Sequence, residues 1–201
     1  LGLAQQLRFM RISVTFTEKE MEDIHDEAAK RHQVSRLAGH PDQRIGDMGN
    51  AVSADFIGLL GEVAFSQIFD AERDKDIRAR SGSIDFTSNG QAVEVKSSKH
   101  RNAHLLVPAY FFDGKPGTKE YCHAYVLMLV DLTNRTITFA GWASREELII
   151  PERLDYFKGS SRQSFVLPQE ALHQLDDVTA TWLVAAAKAK GHRVCLTESV
   201  E

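Results

Sequence analysis

The dipeptide Asn89-Gly90 constrains this chain more than any other feature, because it stands between two runs that alternate apolar and polar residues, Ser83–Ser88 and Gln91–Ser97. Asn-Gly suits the two-residue type I′ turn of a β-hairpin, whose central residues take positive φ. A two-residue turn fixes the register: Ser88 faces Gln91, Thr87 faces Ala92, Phe86 faces Val93, and Asp85 faces Glu94. Alternation then sends Glu94 and Lys96 to one side of the strand and Val93 and Val95 to the other, with Ile84 and Phe86 joining the apolar side. One face of the hairpin is greasy, and the other carries Asp85, Glu94 and Lys96 together.

Two carboxylates directly opposed across a ladder sit with Cβ atoms about 5 Å apart and repel each other. A divalent cation is the economical way to neutralise them. Oxygen donors on rigid strands suit Mg²⁺, which keeps several of its waters, and Mn²⁺ is expected to substitute. Such an ion lowers the pKa of a bound water and stabilises charge building on a phosphoryl group, while Lys96 can orient that water or offset transition-state charge.

Elsewhere the reading is of α and β elements in one domain spanning 1–201. Met10 opens a stretch that reads as a natural start with a short strand, and residues 1–9 read as sequence upstream of it. Thr17 followed by Glu20 is a capping box that opens a helix running to about His32. The glycine- and proline-bearing stretch 38–50 reads as an ordered loop or entrance flap. Phe56, Ile57, Leu60, Val63, Ala64, Ile68 and Phe69 recur at helical spacing, which predicts a well-buried helix over 54–69. After the hairpin come a short strand at 105–107, an apolar run over 124–132 suited to a central strand buried on both sides, and an alternating strand over 136–142. Ser144 and Glu147 form a second capping box, with Pro151 stopping the helix. The segment 168–191 reads as helical, in one or two pieces, ending at Gly191. The order predicts a mixed sheet flanked by helices.

Composition narrows the function classes. No apolar run approaches the roughly 18 residues of a membrane span, so no membrane partner is expected. Cys122 and Cys195 stand apart without any CxxC neighbour, which supports neither a disulfide framework nor a structural zinc site and makes a reducing cytoplasm the default. The eight histidines lack HxH or HExxH spacing, and Gly39, Gly46 and Gly49 match neither a P-loop nor a dinucleotide fingerprint. A net charge of −4 argues against coating nucleic acid by bulk positive charge, but leaves room for a local basic groove. Candidates are the clusters Lys99/His100/Arg101, Arg73/Lys75/Arg78/Arg80, Lys158/Arg162 and Lys188/Lys190/His192/Arg193. Each alone reads more readily as solvated surface, as Trp142 and Tyr110-Phe111-Phe112 read as core or interface aromatics rather than base-stacking platforms.

Asp85 followed at hairpin distance by Glu94-Val95-Lys96 resembles the D…ExK signature of the PD-(D/E)xK nuclease superfamily. The preceding helix adds to the likeness: Gly58-Leu59-Leu60-Gly61-Glu62-Val63-Ala64-Phe65 is similar to the GxxGExAF helix of many members, phage-encoded ones included. The likeness covers 58–99, with Ile84 where the name would put proline. It implies a restriction-endonuclease-like core of αβββαβ type and a Mg²⁺-dependent deoxyribonuclease, with Asp85, Glu94 and Glu62 as metal ligands and Lys96 as the fourth catalytic residue. It implies DNA as partner, with Ser98, Lys99 and Arg101 as candidate backbone contacts. A homodimer is a candidate assembly, and the cytoplasm of a bacterium or phage-infected host the expected location. Gly58 and Gly61 would let the helix backbone approach the sheet so that Glu62 reaches the carboxylate pair. A catalytically inactive nucleic-acid-binding or assembly protein on the same fold is the alternative.

Overall fold

The computed structural model describes residues 10–39, 51–73, 77, 84–88, 90–109, 122–156 and 163–198. The elements run β1 (Met10–Thr15), α1 (Glu18–Leu37), α2 (Ala51–Phe69), β2 (Phe86–Ser88), β3 (Gln91–Ser98), β4 (Leu105–Pro108), β5 (Ala124–Asp131), β6 (Thr136–Ser144), α3 (Arg145–Leu148), β7 (Leu154–Asp155), β8 (Ser164–Leu167), α4 (Asp177–Ala189) and β9 (Val194–Glu198). Both capping boxes form. Thr17 and Glu20 bond reciprocally at the start of α1, and Ser144 and Glu147 do so at α3. α1 continues beyond the expected end at His32 to Leu37, since no glycine or proline interrupts it before Gly39.

A six-stranded sheet has the order β2-β3-β5-β6-β1-β9, and a second sheet the order β4-β8-β7. Among the described residues only β3 and β5 pair in parallel, and the other ladders are antiparallel. The molecule is therefore mixed α/β. The hairpin register is the one the turn dictates, Phe86 with Val93, Thr87 with Ala92 and Ser88 with Gln91. β2 is shorter than expected, starting at Phe86 rather than Ser83. The strand at 105–107 forms, but in the second sheet. The segment 168–191 is only partly helical: a 3₁₀ turn over Gln169–Ala171 precedes an extended stretch in which His173 bridges Trp142, and α4 begins after the Asp176 cap.

Two apolar cores lie on opposite faces of the larger sheet. On one face α1, α2 and α4 pack onto Val93 and Val95 of β3, Val126, Met128 and Val130 of β5, and Ile137 and Phe139 of β6. On the other, Tyr125, Leu127 and Leu129 meet Leu105 and Val107 of β4, Leu148 of α3 and Leu167 of β8. β5 is buried on both sides, as its unbroken apolar run requires. Burial of this kind contributes roughly 25 cal/mol per Å² of apolar surface, so the central strand is the anchor on which its neighbours are positioned. Among the described residues no helix is long and apolar enough to cross a membrane.

The 40–50 stretch, Asn89, the 110–112 aromatics, Lys75, Arg78, Arg80, Lys158 and Arg162 lie outside the described residues.

Candidate active site

Hairpin geometry decides what surrounds each charged residue. Glu94 and Lys96 alternate with Val93, Val95 and Ser97, and in the parallel ladder they stand beside Tyr125 and Leu127. They therefore project into the space between the two sheets, away from the helices. Glu94 is 2% exposed and Lys96 25%, and the ammonium bonds the Glu94 carboxylate at Oε1. A carboxylate this deep is held charged only by a partner, and such groups cluster at functional sites.

Asp85 sits one residue before β2 begins, in a bend. Its Oδ2 accepts a hydrogen bond from the Val95 backbone N–H at 2.8 Å. The side chain thus occupies the place of the ladder carbonyl that a longer β2 would supply. That substitution ends the strand and holds the Asp85 carboxylate against the β3 backbone at Val95. It also redirects Ile84, which was expected with Phe86 on the helix side: Phe86 packs there, whereas Ile84 packs against the opposite core. Once the ladder stops at Phe86, strict alternation no longer governs the residues before it.

Glu62 is placed differently. The expected close approach of helix and sheet occurs at Gly61, where a β-carbon would collide with Ser97 Oγ and lie 3.1 Å from Ser97 Cβ and 3.3 Å from Met128 Cβ. At Gly58 a β-carbon would meet nothing within 4 Å, and this residue contributes its carbonyl, which accepts from Ser97 Oγ at 3.5 Å. The contact is on the helical face of the sheet, whereas Glu94 points to the other. Glu62 is bonded by Arg31 of α1 at 3.1 Å, and Arg31 also pairs with Glu27, which in turn takes both terminal nitrogens of Arg73. This network ties α1 to α2 and to the chain beyond α2. Among the described residues no three Asp, Glu, His or Cys side chains gather as a metal cage.

The remaining expectations divide as follows. Lys99, His100 and Arg101 are exposed immediately beyond β3, where the His100 N–H bonds Ser98 Oγ at 3.1 Å. Arg73, Lys190 and Arg193 are paired with Glu27, Asp70 and Glu20. Trp142 lies against the His173 ring at 4.9 Å between centroids. Among the described residues neither Cys122 nor Cys195 forms a disulfide.

One residue that the sequence does not mark stands beside Glu94. Tyr125 is 2% exposed and paired across the ladder with Glu94. Burial pushes its phenol far above the usual range, the neighbouring Cys122 and the Glu94 carboxylate push the same way, and Arg145 pulls it back. Tyr125 is the one hydroxyl-bearing residue in the β5 run, a signal that composition alone does not rank. No family model, characterised protein or solved structure matches the chain.

Proposed function

We propose that this chain is a metal-dependent nuclease of the PD-(D/E)xK kind, with a restriction-endonuclease-like core, that hydrolyses phosphodiester bonds of DNA. The observation that carries the reading is the buried Glu94 carboxylate bonded to Lys96 two residues on, with the Asp85 carboxylate held on the Val95 N–H of the same strand. The donor chemistry fits Mg²⁺ or Mn²⁺. Asp85 and Glu94 offer hard oxygens, and Mg²⁺ commonly takes one or two carboxylates and keeps its waters rather than requiring a closed cage. When bound, the ion supplies a water of lowered pKa and a positive charge beside the phosphoryl oxygens.

The chain's own residues do the rest. Asp85 and Glu94 hold the ion. The Lys96 ammonium, aligned on Glu94, presents its remaining hydrogens to the attacking water or to the developing negative charge. Lys99 and Arg101 extend the cationic strip from Lys96 along the path a phosphate backbone would take, with Ser98 beside them. Glu62 joins the ligand set only if it parts from Arg31, so the reading rests on the other three.

The test is cleavage of linear, circular, single-stranded and branched DNA with Mg²⁺ or Mn²⁺ present. Asp85→Ala and Lys96→Ala are expected to lose on the order of 10²–10⁴ in rate, and full activity in either variant would sink the assignment. One observation favours a second reading. Glu94 already has a cationic partner in Lys96, as a nucleic-acid-binding protein without catalysis would also have. Calorimetry in which DNA binds and Mn²⁺ does not would establish that alternative.

A further inference from the structure

Residues of α4 turn about 100° from one to the next, which divides the helix into two apolar sides. Ala180, Leu183, Val184 and Ala187 are buried in the core on the helical face of the larger sheet. Directly opposite them, Val178, Trp182, Ala185 and Ala189 follow one another at spacings of four, three and four residues, and all four are exposed. Val178 is 80% exposed and Trp182 67%. Single apolar residues on a surface are ordinary, whereas a continuous stripe with a tryptophan near its middle marks a contact surface.

The order of sizes along the stripe says what fits it. Its two large side chains stand in the N-terminal half of the helix and its two alanines in the C-terminal half. A second α4 laid antiparallel on the first sets Trp182 over Ala185 and Val178 over Ala189, twice each, so that every bulky group meets a small one. A patch that fits itself about a twofold axis is what an isologous interface requires. Charge agrees with size. Asp176 caps the N-terminus, Lys188 stands in the last turn, and both are exposed, so antiparallel pairing brings acidic end to basic end. Parallel pairing would set tryptophan on tryptophan and like ends together. We infer that the outer stripe of α4 is the surface by which two copies of this chain pair, antiparallel, about a twofold axis. A helix about 20 Å long buries less than the roughly 1,200–2,000 Å² of a standard interface, so the dimer is expected to form at about 10–100 µM chain.

The inference is independent of the nuclease reading. Sedimentation equilibrium from about 1 µM to about 1 mM chain measures the dimer dissociation constant in wild type, Trp182→Glu, Ala185→Trp and Trp182→Ala/Ala185→Trp. All the substituted side chains face away from the core, and circular dichroism checks that each variant is folded. Trp182→Glu and Ala185→Trp are expected to weaken pairing at least about 10-fold, the second by setting bulk against bulk, and the double variant, which exchanges large for small, to recover most of the loss. A face that associates by apolar area alone gains affinity in Ala185→Trp, and that gain would overturn the size-matched register. Wild type that stays monomeric throughout overturns the inference and leaves the stripe to another occupant, a different protein or a further segment of this chain. A dimer whose dissociation constant is unchanged in Trp182→Glu overturns it too, because the contact then lies elsewhere.

Discussion

Glu94 is 2% exposed and its partner Lys96 25%, so removing one end of this pair does not cost the fold what removing the other does. In Glu94→Gln the ammonium can turn toward water along its flexible stem. In Lys96→Met the carboxylate has no such route and must stay charged in a poor dielectric or take up a proton. Lys96→Met is expected to destabilise by about 3–5 kcal/mol and Glu94→Gln by clearly less, with the double variant recovering much of the loss, as read by urea denaturation at neutral pH. A double variant no more stable than Lys96→Met would show that the two residues do not depend on each other. The proximity of Glu94 and Lys96 was legible in the sequence, since alternation at i and i+2 is local. Tyr125 was not, because it stands beside Glu94 through a parallel pairing between segments far apart in the chain, and no spacing rule reports that.

At the scale of elements, the meeting of α2 with β3 depends on the missing side chain at Gly61. Gly61→Ala drives a methyl into the Ser97 side chain and against Met128 Cβ, and β-carbons cannot swing away as the end of a long side chain can. A loss of about 1–3 kcal/mol is expected, partly relieved in Gly61→Ala/Ser97→Ala because the hydroxyl is gone while the Ser97 β-carbon position stays close. Thermal unfolding of the single and double variants checks this, and an unperturbed Gly61→Ala protein would mean that helix and sheet are not in contact here. The hairpin, both capping boxes and the buried helix were readable because each is specified by a few adjacent residues. β7, β8 and β9 were not: they are short, and their stability comes from partners such as β4 for β8 and β1 for β9. In the same way the extended stretch around His173 overrides the helical pattern of 168–191 by bonding Trp142 in both directions. The β5–β6 ladder also hides a bulge near Leu127 and Met128, where Gly141 takes φ +134° and a β-carbon would strike Leu172, His173 and Gln174.

For the whole molecule, the α/β class followed from the sequence, whereas the strand order did not, since pairing β1 with both β6 and β9 joins segments from opposite halves of the chain. One link between layers makes stability depend on acidity. The Glu147 carboxylate accepts from the Ser144 N–H and hydroxyl and meets His173 Nε2 at 2.7 Å. The Ser144 backbone bond first, and His173 next, hold its pKa at about 2, below the ordinary 4.5. A carboxyl depressed on folding contributes stability that is complete above its unfolded value and is lost as pH falls through the folded one. The urea midpoint is therefore expected to fall between about pH 4.5 and pH 2 more steeply in wild type than in Glu147→Gln. Identical slopes would show that Glu147 is no better solvated by its partners than by water.

The side-by-side parallel run of β3 and β5 has a consequence for how such a molecule can vary. Parallel neighbours cannot be joined by a tight turn, so the chain must travel back the length of the strands before re-entering, a trip of a dozen residues or more. Here the chain between them runs through 99–123, and its β4 portion is enlisted in the smaller sheet. Lengthening or rewriting the detour leaves every ladder of the six-stranded sheet intact, so this part of the surface can drift without the scaffold having to follow.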